Sequence, residues 1–174
     1  TRGMNSAEYL RWRLREHRAK SERAEWLAAY GRATESKVAA EAVLPPPRAK
    51  EIHALFYKRL ASHKNIDRWE LPIDQRPRMV AAILGRAPLL PEKQGWLLFG
   101  DTDFPGALRV DLEALLLKSE SLWELLLEDI CFASLDGHSG LCLEKNFLDS
   151  LGNYAKEGHC MAATWGAYHL LLRL

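Results

Sequence analysis

The sequence predicts an α+β fold, a helical N-terminal half followed by a mostly antiparallel sheet of about four strands with interleaved helices. Three observations lead there. Apolar residues recur at helical spacing in the first ninety positions, as in Ile52, Leu55, Phe56 and Leu60. From Gly95 they gather instead into short runs bounded by glycine, which favours buried strands. Two such runs, 130–135 and 141–145, flank Asp136-Gly137-His138-Ser139-Gly140 and read as a hairpin. The 174 residues suit a single domain, 4–174, with a helical segment over 4–44 and a body over 48–174.

The elements follow in order. Asn5 caps the first helix, with Glu8 in the capping-box position. Tyr9, Leu10 and Leu14 form an apolar stripe at its start, and Trp26, Leu27 and Tyr30 another near its end. Between them, 15–25 has only Ala19 and Ala24 as apolar residues, so it is expected to be solvated and free to project from the body. Gly31 is the expected stop. A helix over 35–43 follows, ended by Pro45-Pro46-Pro47, a stiff spacer whose Pro47 starts the helix over 48–62. Segment 66–73 is extended or looped. Pro77 opens a helix over 78–84, closed by Gly85. Strand 96–99 precedes turn chemistry over 101–106. Residues 108–112 form a strand, or Asp111 caps a helix over 113–117. Ser121 with Glu124 opens a helix to Leu127. Strand 159–165 is the last, broken by Gly166.

Composition narrows the function classes. The hydrophobic fraction of 48% and charged fraction of 27% are those of a soluble globular protein. No apolar run nears the roughly 18 residues of a membrane span, and no signal peptide follows Met4. Thr1-Arg2-Gly3 reads as a cloning remnant. Three cysteines, an odd number, point to reduced thiols and a cytoplasmic location. The net charge of +1 conceals a split: residues 1–91 carry 18 Lys/Arg against 10 Asp/Glu, and residues 92–174 carry 6 against 13. Such asymmetry reports a partner or an internal pairing.

Candidate chemistry is sparse, and the chain reads as a non-enzyme without cofactor. Gly137-His138-Ser139-Gly140 is similar to the start of a nucleophile elbow, but Leu141 stands where the closing glycine belongs and a strand follows. Cys131, His138, Cys142, His159 and Cys160 lack the close thiolate spacing of a zinc site. Pairing the hairpin about His138 sets Ser134 opposite Cys142 and places Cys131 and Cys142 on opposite faces, which argues against a disulfide. Asp101, Asp103, Asp111 and Glu113 lack the alternating ligands of a calcium loop. Arg11, Arg13, Arg15, Arg18, Lys20 and Arg23 are spread around the first helix and diluted by Glu16, Glu22 and Glu25, which weighs against nucleic acid.

The second half resembles small bacterial immunity proteins of polymorphic-toxin and contact-dependent inhibition systems. The residues carrying the resemblance are Gly95-Trp96-Leu97-Leu98-Phe99, the hairpin from Glu128-Asp129-Ile130-Cys131-Phe132-Ala133-Ser134 to Gly140-Leu141-Cys142-Leu143-Glu144, and Thr164-Trp165-Gly166. The resemblance implies a cytosolic α+β protein that binds and neutralises a cognate toxin domain by occlusion. An acidic surface would suit a toxin with a basic one. On that reading the partner-binding residues are Asp101, Asp103, Asp136, Glu144 and Asp149, with Trp165 or Trp96 as an aromatic anchor, Trp96 being better suited to the core. The alternative is a nucleic-acid-associated or regulatory protein using the arginine-rich first helix.

Overall fold

A computed structural model of the chain describes residues 6–100, 103–125, 129–148 and 154–173. Helix α1 spans Ser6–Thr34, α2 Pro46–Ala61 and α3 Arg76–Arg86. Strand β1 (Asp67–Pro72) lies between α2 and α3, and β2 (Gln94–Phe99) and β3 (Gly106–Asp111) follow. Short helices α4 (Leu112–Leu117) and α5 (Ser119–Leu125) lead to β4 (Ile130–Ser134), β5 (Gly140–Leu148) and β6 (Tyr154–Trp165). A 3-10 segment, Gly166–Leu171, follows β6. The strands form one sheet in the order β1-β6-β5-β4-β2-β3, antiparallel throughout. The α+β class holds, with six strands rather than about four.

Both faces of the sheet are covered, which explains why its central strands are apolar at nearly every position. Strand alternation sends Leu97, Phe99, Ile130, Phe132, Leu141 and Leu143 into a large core shared with the C-terminal part of α1, α3, α4 and α5. The intervening residues Leu98, Cys131, Ala133, Cys142, Ala163 and Trp165 meet Ala49, Ile52 and Phe56 of α2 on the other face. His53 also belongs to that interface. Its Nε2–H donates to the Gly106 carbonyl at 2.8 Å, tying α2 to β3.

Local chemistry corrects several expected boundaries. The first helix passes Gly31 and ends at Thr34, with Glu35 in the left-handed region at φ 54°. Ser36 N–H donates to the Gly31 carbonyl at 3.0 Å and Glu35 N–H to Arg32 at 3.4 Å, a Schellman closure with glutamate in the usual glycine place. Gly31 is needed for close approach, since a Cβ there would lie 3.0 Å from the Ser36 carbonyl oxygen. Segment 35–43 is mostly irregular, with a 3-10 turn at Ala40–Ala42, and Val43 bridges to Leu108 of β3. Pro46, rather than Pro47, occupies the first turn position of α2. Segment 66–73 supplies the edge strand β1, where Trp69 and Leu71 pack on the large core. Residue Asp111 both ends β3 and caps α4, accepting from Ala114 N–H at 3.0 Å.

α1 is divided along its length. Trp26 stacks on Phe99 with ring centroids 3.8 Å apart and planes 6° apart, and Tyr30 stacks on Trp26. Residues 6–18 are all exposed, including Tyr9, Leu10, Trp12 and Leu14. This exposed stretch is held by intrahelical pairs such as Arg18–Glu22 at 2.7 Å and by good helix formers, and its Trp12, Arg15 and Glu16 border a cavity with Asp103 and Phe104 of the β2–β3 turn. Trp26→Ala should therefore cost about 2–4 kcal/mol in chemical denaturation, whereas Leu10→Ala should stay within about 0.5 kcal/mol of the parent. Equal losses at both positions would show that the start of the helix is packed rather than exposed.

Candidate functional site

The β4–β5 hairpin closes three residues away from the register predicted about His138. Cys131 pairs with Cys142, Phe132 with Leu141 and Ala133 with Gly140. Ser134 N–H donates to the Ser139 carbonyl at 2.9 Å, and Gly137 N–H to Ser134 at 2.9 Å, with Gly137 at φ 77°. The odd shift reverses the side-chain assignment of one strand against the other. Cys131 and Cys142 therefore share a face, with Sγ atoms 3.7 Å apart, contrary to expectation. Both are buried free thiols, and their mutual contact and burial push the Cys142 thiol well above its ordinary value.

Side chains hold the turn as firmly as backbone does. The Ser134 hydroxyl donates to Asp136 Oδ1 at 2.5 Å, and His138 N–H donates to the same oxygen at 3.0 Å. These two donors, the hydroxyl foremost, hold the Asp136 carboxyl below the usual carboxylate range. Ser139 N–H donates to Ser134 Oγ at 2.9 Å. Ser139 Oγ in turn accepts from Ala167 N–H at 2.9 Å, fastening the turn to the segment after β6. Gly166 permits this approach: it has φ 64°, and a Cβ there would lie 2.4 Å from Ser139 Oγ. Ser139, the serine of the elbow-like sequence, is thus a buried structural acceptor.

The predicted partner-binding residues fall at two ends of the sheet. Asp136 is exposed at the hairpin turn, beside the start of β2. Trp165 lies at the same end but is 1% exposed, so it is no surface anchor. Its indole lies against its cross-strand partner Gly140, where a Cβ would come within 2.1 Å of the ring, and it packs on Phe56 of α2. Glu144 lies toward the opposite end, beyond the Ile130–Leu143 pair, where the β2–β3 turn carries the exposed Asp103. Asp103 borders a cavity with Glu16, Lys20 and Arg23 of α1 and Lys50 of α2, so three cations and a second acid of its own chain share its surroundings. Asp101 and Asp149 lie outside the described residues.

Two cavities flank the hairpin turn and differ in charge. One, about 420 Å³, is lined by Lys58, Arg59, Ser62 and His138 above the edge of Trp165. The other, about 310 Å³, is lined by Glu92, Asp136 and Ser139 with Leu90, Pro91 and Tyr168. Glu92 and Tyr168 had no assignment from sequence. Glu92 lies between a proline and the strand with no motif around it, and Tyr168 follows the strand-breaking Gly166, where only its i,i+3 spacing to Leu171 hints at burial.

Direct ion pairing does not by itself cancel the charge split. Arg76 grips Glu120 through two bonds, at 2.7 and 3.2 Å, while lying 4.4 Å from the centroid of the Trp123 ring. Glu35–Lys118 and Asp67–Arg173 pair in the opposite sense, acid from the basic half with base from the acidic half. Among the described residues no three His, Cys, Asp or Glu side chains are grouped as a metal site would require. No helix among them is long and apolar enough to cross a membrane. The sequence matches no protein-family model, no curated protein and no solved structure.

The structural role of Ser139 has a direct consequence. Ser139→Ala leaves Ala167 N–H without its acceptor and should lower stability by about 1–3 kcal/mol in chemical denaturation. An unchanged unfolding midpoint would contradict that role.

Proposed function

We propose that this protein acts by binding, as an immunity protein that neutralises a toxin domain by covering its basic surface, with the hairpin end of the sheet as the docking face. The observation that carries the reading is Asp136. It is exposed, kept ionised by two local donors, and mounted on a turn tied to both β4 and the segment after β6. Such a carboxylate loses little freedom on meeting a cation, so more of the interaction appears as affinity. Glu92 stands on the same cavity and doubles the local charge. Exposed carboxylates of this kind also speed association with a basic partner, in a salt-dependent way. Function by occlusion requires a fixed, complementary surface and no catalytic group, and it fits a cytoplasmic protein with reduced thiols.

α1 supports a second reading. Its exposed start combines Tyr9, Leu10, Trp12 and Leu14 with Arg11, Arg13, Arg15 and Arg18, so cations and aromatics stand together on an exposed helical segment. That combination suits a regulatory arm or a nucleic-acid contact.

One experiment separates the two. The paired variant Glu92→Lys/Asp136→Lys should lose at least tenfold in affinity for the toxin domain that the parent protein binds and should no longer protect cells producing it. Asp103→Lys should retain most of both. Full protection by the double variant would exclude the hairpin end as the docking face. A sharp salt-dependent gel shift with DNA or RNA, lost on charge reversal in α1, would instead establish the second reading.

A further inference from the structure

Tyr168 is buried, at 2% exposure, and its ring stacks on Phe132 at a centroid distance of 5.8 Å. Its hydroxyl oxygen is nevertheless without a hydrogen-bond partner among the described residues. Buried hydroxyls in folded proteins are almost always paired, so an unpaired one calls for an explanation. Here it belongs to the residue that backs the 310 Å³ cavity beside the hairpin turn. Burial raises the titration of this phenol first, and the fields of Asp136 and Glu92 raise it further. The hydroxyl therefore stays protonated, and both carboxylates lie near enough to act on it.

The chemistry of the cavity selects its ligand. Both bonds to Asp136 end on Oδ1, and the Gln94 N–H reaches Glu92 at Oε1, 2.7 Å away. Two carboxylates on one small cavity repel an anion. A neutral polar group could bond the phenol but would leave the charge of both acids uncompensated. A flat cation with several N–H donors can bond both acids at once, with the phenol oxygen behind them as a further acceptor once a donor reaches it. Leu90, Pro91 and Ala167 supply apolar wall for an aliphatic stem. We infer that this cavity receives the guanidinium of an arginine side chain presented by a protein partner. Arginine is enriched among the residues that dominate binding at interfaces, and its planar fork matches paired acceptors better than a lysine ammonium. The arginine's source rests on the binding function proposed above. The cavity's preference for a guanidinium does not.

The test uses the full chain, with acetyl-arginine N-methylamide as probe and its uncharged isostere, acetyl-citrulline N-methylamide, as control. The arginine probe should produce saturable amide shifts at Ser139, Ala167 and Tyr168 in the millimolar range, and citrulline should produce none. Glu92→Gln/Asp136→Asn should weaken the arginine probe at least tenfold, and Asp103→Asn should leave it unchanged. Tyr168→Phe should weaken it several-fold without lowering the melting temperature, because the hydroxyl removed has no partner. Equal response to both probes, an absence of saturable shifts, or a Tyr168→Phe protein that melts earlier would each overturn the assignment. If the arginine probe binds but charge reversal leaves toxin protection intact, the cavity assignment stands and the proposed partner falls. If charge reversal abolishes protection while the probe fails to bind, the cavity assignment falls and the docking face stands.

Discussion

Ser134 and Ser139 close the β4–β5 hairpin on each other, and that closure decides which way the central side chains point. Once Ser134 pairs with Ser139, alternation sends Phe132 and Leu141 to one face and Cys131 and Cys142 to the other. β2 takes its alignment from β4, with Leu97 opposite Phe132, and β6 takes its alignment from β5, with Ala162 opposite Leu143. A slip of one residue on either side would carry aromatics from the α1–α3–α4–α5 core into the α2 interface, where the alanines, cysteines and glycine leave room for little more than Trp165 and Phe56. The same closure presents Asp136 to solvent and brings Ser139 against Ala167.

The glycines of the sheet serve this arrangement through space rather than through backbone freedom. Gly140 lies under the indole of Trp165 and Gly106 under the ring of Phe99, each aromatic occupying the volume that a Cβ would need. Strand glycine normally weakens a sheet, and here the aromatic partner across the strand offsets that cost. The consequence reaches the functional reading. Trp165 is at the hairpin end, but its ring lies over Gly140 in the α2 interface and is buried, so it presents no anchor at the surface.

How much was legible in the sequence follows from how local each signal is. The α+β class, the amphipathic helix beginning at the prolines, the 96–99 strand and the hairpin depend on short-range patterns, and the structure bears them out. The hairpin register depends on which serine closes the turn, and a five-residue glycine-bounded loop permits more than one answer. The edge strand around Trp69 was ambiguous because its alternation is broken by an X-Pro step, and only β6 as a neighbour settles it. Asp136 was readable as exposed turn chemistry. Its companions were not, because Glu92 and Tyr168 reach the same cavity from segments 44 and 32 residues away. The charge split likewise conceals geometry: Asp103, a candidate partner-binding acid from sequence, lines a cavity with Glu16, Lys20, Arg23 and Lys50.

Everything argued for Asp136, Trp165 and Tyr168 therefore rests on one alignment of two strands. In that alignment Cys131 and Cys142 form a non-hydrogen-bonded antiparallel pair, with Cα atoms about 4.5 Å apart and α-protons pointing at each other. The most direct measurement is the cross-strand nuclear Overhauser effect between α-protons of the folded, reduced protein. A strong contact between the α-protons of Cys131 and Cys142, with a matching one between Ala133 and Gly140, is the result expected. A contact between Ser134 and Cys142 instead, as pairing about His138 would require, would contradict the register and with it the acidic cavity beside the turn.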